Sequence, residues 1–370
     1  MPASQGDKLD ESATTATGSA DGPWTIRRLV QWIHRHLEAK DIDSPRVSAE
    51  ILIGHVLGCD RLRLYMESER VPTDAERAQL RALVARSARH EPVQYLVGEW
   101  PFYGRTFALG PATLIPRPAT ETLVEAAVRW YREEHAGCSL AMADIGTGTG
   151  VIAVSVIAEI RAWLRSERGR AGCRPLGGAA PKVPSENVVP EIQIGVRSGS
   201  PDGSGDPVKA HGELPRIHCV ATEIVAGAAA LARSNVERHG LADAIEVREG
   251  SLFAPFRVGA TKIAEGSLDL ICANPPYISD SEWLEVPPNV KLYEPATALR
   301  AGVDGLDVIC PLVRESARWL RPGGLLLVEI AASQGDAVRT LFAEAAGVWS
   351  GVTVLRDHQG HWRVASGRRG

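Results

Sequence analysis

Asn274-Pro275-Pro276-Tyr277 places an amide, two rigid prolines and an aromatic ring in four consecutive residues. The set suits a planar nitrogen acceptor, such as a side-chain amide or the exocyclic amine of a base. The lone pair of such a nitrogen is delocalised, so it is a poor nucleophile. The Asn274 side-chain oxygen and the Pro275 carbonyl can each accept one of its N–H bonds. Together they aim the nitrogen and favour the positive charge it develops on becoming tetrahedral, which is catalysis by orientation and electrostatics. The prolines stiffen the backbone that carries the carbonyl, and Tyr277 can pack over the planar group. No strong base is needed, because an N-alkylated cation of this kind sheds its proton readily. The bland alternative is a Pro-Pro turn with a locally capping Asn.

The second chemical motif is Asp144-Ile145-Gly146-Thr147-Gly148-Thr149-Gly150. Glycines let a backbone adopt positive φ and approach a ligand closely. The spacing is GxGxG and not the GxGxxG of dinucleotide-binding loops. Glu223, at the end of the next apolar run, is placed to accept hydrogen bonds from ribose hydroxyls. An acidic strand end, a glycine loop and a second acidic residue suit a nucleoside ligand without a pyrophosphate, S-adenosyl-L-methionine. A tight structural turn would explain the glycines alone, but not Glu223. No metal site is expected, since the ten histidines form no ligand pattern beyond His34 and His36, which point to different sides of a helix.

Both motifs follow apolar runs that read as strands, and the elements around them alternate. LAMADI (140–145), IHCVAT (217–222), AIEVRE (244–249), LDLICA (268–273) and GLLLVEI (324–330) are expected strands. Helices are expected over 151–164, 225–239, 309–320 and 334–346, and a closing strand pair at 352–355 and 362–366. Alternating β and α units imply a doubly wound, mostly parallel sheet of the α/β class. Its carboxyl edge, where both motifs fall, is where ligands bind in such sheets.

Upstream, residues 24–95 read as a small helical bundle for docking a protein substrate. Thr25 is an expected N-cap, followed by an apolar face of Ile26, Leu29, Val30, Ile33 and Leu37. A helix from Ser44-Pro45 to Gly58 should bury Val47, Ile51 and His55/Val56, and Thr73-Asp-Ala-Glu76 is a capping box. Twelve Lys/Arg against ten Asp/Glu over 24–91 fit a protein partner better than nucleic acid. Residues 96–113 read as a β-hairpin linker turning at Gly104. Residues 1–23 form an expected disordered tail. Residues 166–216, with nine Gly, seven Pro and no aromatic, form an expected disordered insertion in the domain that runs from 114 to 370.

A net charge of −4 argues against a broad nucleic-acid-binding face. No run approaches the roughly 18 apolar residues of a membrane span. The six cysteines have no CxxC spacing, which fits free thiols in a reducing cytoplasm.

Taken together, LIPRPATETLVE (114–125), DIGTGTG (144–150), ATEIVAGAAALARSN (221–235), NPPYI (274–278), YEPATAL (293–299), DGLDV (304–308) and LRPGGLLLVEI…Q (320–334) resemble the release factor glutamine methyltransferases of the HemK/PrmC type. The resemblance extends over the helical segment, through SPRVSAEILIGHVLG (44–58) and PVQYLVGE (92–99). It implies a Rossmann-like class I methyltransferase domain with a mostly parallel seven-stranded sheet. It implies transfer of a methyl group from S-adenosyl-L-methionine to the glutamine side-chain amide in the Gly-Gly-Gln motif of class 1 peptide chain release factors, by a cytoplasmic monomer. By the same resemblance, Asp144, 146–150, Glu223, Ser251, Leu252 and Asn274 hold the cofactor. Residues 274–277 clamp the glutamine amide, and Phe102, Ile115, Pro116, Arg117 and Pro118 line the substrate mouth. Ala119 departs from the family's usual Glu in the PRPxTE segment, Ser251 and Leu252 from its usual adenine-contacting residues, and Ala331 from a common glycine. The rival readings are a glutamine methyltransferase of a ribosomal protein, an adenine-N6 nucleic-acid methyltransferase, and a non-catalytic binding module.

Overall fold

Short, nearly continuous apolar runs in the central strands, buried on both faces, settle the architecture of the larger part of the chain. The computed structural model describes residues 22–166, 215–258, 262–345 and 347–370, so the expected tail and insertion fall almost wholly outside the described residues. Its strands are β1 (Glu99–Phe102), β2 (Arg105–Ala108), β3 (Leu140–Ile145), β4 (Ile217–Glu223), β5 (Ile245–Glu249), β6 (Leu268–Ala273), β7 (Leu320–Glu329), β8 (Trp349–Arg356) and β9 (Trp362–Arg369). Seven of them form one sheet in the order β5-β4-β3-β6-β7-β9-β8. Pairing is parallel from β5 through β7, and β9 runs antiparallel to both β7 and β8. This is the expected Rossmann-like α/β sheet, and β3, β4 and β6 coincide with the expected strands to within one residue.

Each face of the sheet has its own core. Met142, Leu270, Cys272, Leu325 and Leu327 pack with α6 (Glu121–Glu134) and α7 (Val151–Arg165), through Leu123, Ala127, Tyr131, Val154 and Ile157. Their neighbours Ala143, Ile271, Ala273, Leu326 and Val328 pack on the other side, against Ile309, Leu312, Trp319, Val338 and Phe342. Successive strand residues point to opposite faces, so the alternation assigns every strand side chain to one layer or the other.

Two compact units are distinguished. Among the described residues, one takes in those up to Trp100 with Leu109–Pro111 and Val286–Glu294; the other takes in those within Pro101–Ala108, Ala112–Glu285 and Pro295–Gly370. In the first, helix Ile26–Glu38 is capped by Thr25, whose hydroxyl accepts from the Arg28 N–H at 3.3 Å. Helix Asp74–Ser87 opens on the Thr73/Glu76 capping box. Leu29, Ile33 and Leu37 share a core with Leu52, Ile53, Leu80 and Val84.

Helix Pro45–Leu57 differs from expectation. Ala49, Leu52 and Ile53 face the core, while Val47 and His55 are exposed. Apolar residues occupy most sides of this helix, so periodicity alone does not choose a face. The choice also buries Glu50, which meets Arg46 at 3.2 Å and Arg61 at 2.7 Å and accepts from the Tyr65 hydroxyl at 2.5 Å. A buried carboxylate is tolerated only with such partners. Among the described residues no helix is long and apolar enough to cross a membrane.

Candidate functional site

The strand alternation brings four polar side chains to one end of one face. Asp144 shares its parity with Met142, Glu223 with Cys219 and Ala221, Asn274 with Leu270 and Cys272, and Glu329 with Leu325 and Leu327. All four stand at or just past the carboxyl ends of β4, β3, β6 and β7. A cavity of about 540 Å³ opens at this edge, lined by the glycine loop, Glu223, Gly250, Asn274 and the 112–120 segment among others. That volume falls in the usual range for a small-molecule site.

The glycine loop is built from its own surroundings. Gly146, Gly148 and Gly150 all have positive φ, of 74°, 55° and 83°. The N–H groups of Gly146 and Thr147 both donate to the Thr222 carbonyl at 2.9 Å. The Thr147 hydroxyl donates to Asp144 Oδ2 at 2.6 Å, and the Ala153 N–H reaches the same oxygen at 3.1 Å. Burial pushes the Asp144 carboxyl up to about 6, against the pull of those two donors. Asp144 thus sits fully buried beneath the loop and shapes it. Glu223 accepts the Gly148 N–H on one oxygen and the Val225 N–H on the other, both at 2.9 Å. No atom lies within 4 Å of the point where a Cβ would stand on Gly146 or Gly148. Asn235 joins the loop to β2: it donates to the carbonyls of Thr149 and Ala108 and accepts the Ala108 N–H.

The NPPY segment is held from afar. Asn274 Nδ2 donates to the Thr120 hydroxyl oxygen at 3.2 Å, which leaves Oδ1 as the acceptor end of the amide. The Tyr277 hydroxyl reaches Glu329 Oε1 at 3.4 Å, and burial raises the Tyr277 phenol above its ordinary range. Gln334 Nε2 donates to the carbonyls of Tyr277 at 3.0 Å and Gly305 at 3.1 Å. A Cβ on Gly305 would lie 2.3 Å from the Tyr277 carbonyl oxygen, so glycine is required for this close approach. Glu329 has no exposed surface, and burial pushes its carboxyl up to about 7.

The cavity gathers Gly146, Thr147, Gly148, Thr149, Glu223, Ser251, Leu252, Asn274, Pro275, Pro276, Pro116 and Arg117. Other expected site residues lie elsewhere. Gly150, the N-cap of α7, lies against Ala232. Phe102 is 3% exposed and packs on Phe107 in the core, because its strand parity turns it inward. Ile115 is buried as well, and Pro118 starts a 3-10 turn with its ring in solvent. Tyr277 packs on the apolar core with its hydroxyl tied to Glu329, and does not line the cavity. Thr120, Glu329, Gln334 and Gly305 were not singled out for a role, although each falls in a segment that carries the family resemblance. Arg300, Asp307 and Leu312 complete the far wall of the cavity.

A family model for the PrmC N-terminal domain matches residues 28–98. The release factor glutamine methyltransferase of Nitratidesulfovibrio vulgaris is 33% identical over 345 residues, covering 93% of this chain and 95% of that protein. That of Geobacter sulfurreducens is 33% identical, covering 94% and 98%. That of Cereibacter sphaeroides is 35% identical, covering 90% and 94%. With a sheet, a glycine loop and an NPPY edge that agree with this likeness, the chain belongs to the release factor glutamine methyltransferase family.

Proposed function

We propose that this chain methylates the side-chain amide nitrogen of the glutamine in the Gly-Gly-Gln motif of class 1 peptide chain release factors, using S-adenosyl-L-methionine. The observation that carries the reading is the state of Asn274. One of its amide N–H bonds is given to Thr120, which turns the oxygen to the other side as an acceptor beside a nucleoside-sized cavity.

The residues fit the cofactor. The bare glycine backbone at 146 and 148 leaves room for a closely approaching ligand. Each Glu223 oxygen accepts one backbone N–H and keeps a lone pair for a ribose hydroxyl. Ser251 and Leu252, with Val308 and Leu312, offer a mainly apolar slot for the adenine. When bound, the cofactor supplies an electrophilic methyl group.

The chain's own residues then orient the acceptor. Asn274 Oδ1 and the Pro275 carbonyl take the two amide N–H bonds and turn the nitrogen lone pair out of conjugation toward the cavity. They also stabilise the charge that develops on nitrogen. The surplus proton leaves to water, since an alkylated amide cation is a strong acid. Tyr277, anchored on Glu329 and Gln334, steadies the segment that carries both acceptors. The helical unit serves as the docking surface for the release factor, in a cytoplasmic monomer that makes no contact with nucleic acid.

The test is methyl transfer from labelled cofactor to a purified class 1 release factor and to its Gly-Gly-Gln Gln→Ala variant. Labelling of the first and not the second supports the reading. Equal labelling of both, or transfer to DNA, RNA or a ribosomal protein instead, overturns it.

A further inference from the structure

Gln334 uses both polar atoms of its side chain, and it uses them in two different places. Its Oε1 accepts the Ala331 N–H at 3.0 Å, which closes the 3-10 turn leading into helix Gly335–Glu344. Its Nε2 donates to the carbonyls of Tyr277 at 3.0 Å and Gly305 at 3.1 Å, with the Asp304 carbonyl at 3.4 Å. A carbonyl can only accept and a backbone N–H can only donate, so this network admits one orientation of the amide. Gln334 is buried, and it stands outside the cavity lining.

What Nε2 holds is the far end of the NPPY segment. Pro275 and Pro276 have fixed φ, and a residue that precedes proline is restricted in ψ as well. Asn274 and Pro275 both precede a proline. The soft torsions between the Pro275 carbonyl and the Tyr277 carbonyl are therefore the ψ of Pro276 and the pair at Tyr277. Just beyond, Ile278 donates its N–H to the Leu299 carbonyl at 2.8 Å and accepts the Ala301 N–H at 2.9 Å. A segment pinned at Tyr277 and Ile278 passes its position back to Pro275 and Asn274 with little slack. On the other side of Nε2, a Cβ on Gly305 would lie 2.6 Å away, so the two groups are in close contact. The Gly305 loop continues to Asp307 and Val308, which line the cavity.

We propose that Gln334 is a positioning residue for the transfer reaction: its NH₂ group ties the Tyr277 carbonyl to the Gly305 loop, and so fixes the aim of the Asn274 and Pro275 acceptors. The inference rests on the reading of function given above. It adds to the clamp a residue on a different element, behind the cavity wall. A primary amide meets both demands on this side chain at once. A carboxyl group of the same length can accept from Ala331 but has at most one proton to give, where the amide has two. Methionine keeps the length and offers no donor at all. The two substitutions therefore separate the half of Gln334 that serves the clamp from the half that serves the turn.

The experiment compares the wild type with Gln334→Glu and Gln334→Met. It measures single-turnover methyl transfer to the release factor at saturating cofactor, and the release-factor concentration that gives half the maximal rate. Titration calorimetry with the cofactor gives its affinity and the fraction of binding-competent protein, and each rate is expressed per competent molecule. Both variants should transfer about 10–10²-fold more slowly, a range set by one neutral hydrogen bond at the low end and a misplacement of about 1 Å at the high end. Half-saturation by the release factor and cofactor affinity should stay within about twofold of the wild type, the pattern of an interaction that matters only in the transition state. A residue that merely supports the fold would lower the competent fraction and leave the rate per competent molecule unchanged. A wild-type rate in either variant overturns the inference, and so does a loss of cofactor affinity as large as the loss of rate. Should one variant bind no cofactor, the other decides by the same criteria. Failure of the wild type to label the glutamine overturns the functional reading and this inference with it. Wild-type labelling with an undiminished variant rate overturns the inference alone.

Discussion

Asp144 and Glu329 are both buried acids at the carboxyl end of the same sheet, yet they are supported in opposite ways. Asp144 receives its donors from Thr147 and Ala153, three and nine residues along the chain. Glu329 meets Tyr277, 52 residues away. Asp144 and the turn it holds are thus built within one stretch of chain, although the glycine loop also leans on Thr222 and Glu223 of β4 and on Asn235. The acceptor side is assembled by tertiary packing of the 115–120 segment, β6, β7 and the Gly305 loop. Asp144 is held by donors from the turn and helix that follow it. A clamp assembled from remote segments depends on every buried partner being correctly protonated.

The comparison breaks most easily at Asn274. Asn274→Ala removes the acceptor that the remote network exists to aim. Turnover should fall about 10²–10³-fold, the scale for losing one preorganised polar contact to a developing charge. Single-turnover methyl transfer to the release factor reads this directly. A near-normal rate would mean that the acceptor side of the cavity lies elsewhere, and the contrast with Asp144 would lose its meaning.

Stability gives the second test, at Glu329. Burial raises its folded-state pKa to about 7, above the ordinary value of 4.5. Between those values the folded protein binds more protons than the unfolded chain, so stability falls as pH rises. The stabilisation is fully present below about 4.5 and is lost as pH passes through 7. Glu329→Gln never ionises, so it should be more stable than the wild type at pH 8, by at most on the order of 3 kcal/mol. The gain should vanish near pH 4.5. Denaturation midpoints at the two pH values measure it. A variant less stable than the wild type at pH 8 would mean that the Glu329 carboxylate is a net support of the fold.

The same contrast explains what the sequence revealed. The strands LAMADI and LDLICA were legible because both faces of a buried parallel strand are apolar. The glycine loop was legible because Asp144, its donors Thr147 and Ala153 and the three glycines lie in one stretch of chain, although the loop also leans on Thr222 and Glu223 of β4. Period two even predicts that Asp144, Glu223, Asn274 and Glu329 share a face, once the register of the strands is known. Thr120 and Asn274 could not be paired from the sequence, since their contact joins residues 154 positions apart and depends on the course of residues 115–120. Phe102 was misplaced for a related reason. A family resemblance says that an aromatic belongs near the mouth, but strand parity turns this one into the core beside Phe107. The buried face of helix Pro45–Leu57 was undecided by pattern, because two of the three partners that admit Glu50, Arg61 and Tyr65, lie outside the helix.

The smallest effect sharpens the comparison most. Asp144→Asn keeps the size of the side chain but replaces charge-assisted hydrogen bonds to Thr147 and Ala153 with neutral ones. Loosening of the loop should weaken cofactor affinity about tenfold, equivalent to about 1.4 kcal/mol. Titration calorimetry with the cofactor alone measures this without any methyl transfer. At saturating cofactor the transfer rate should stay close to that of the wild type, because the Asn274–Thr120 hydrogen bond is not shared with the loop. If instead Asp144→Asn slowed saturated transfer as strongly as Asn274→Ala, the two sides of the cavity would be coupled. The cavity would then behave as one cooperative polar network, and the division into a local half and a remote half would fail.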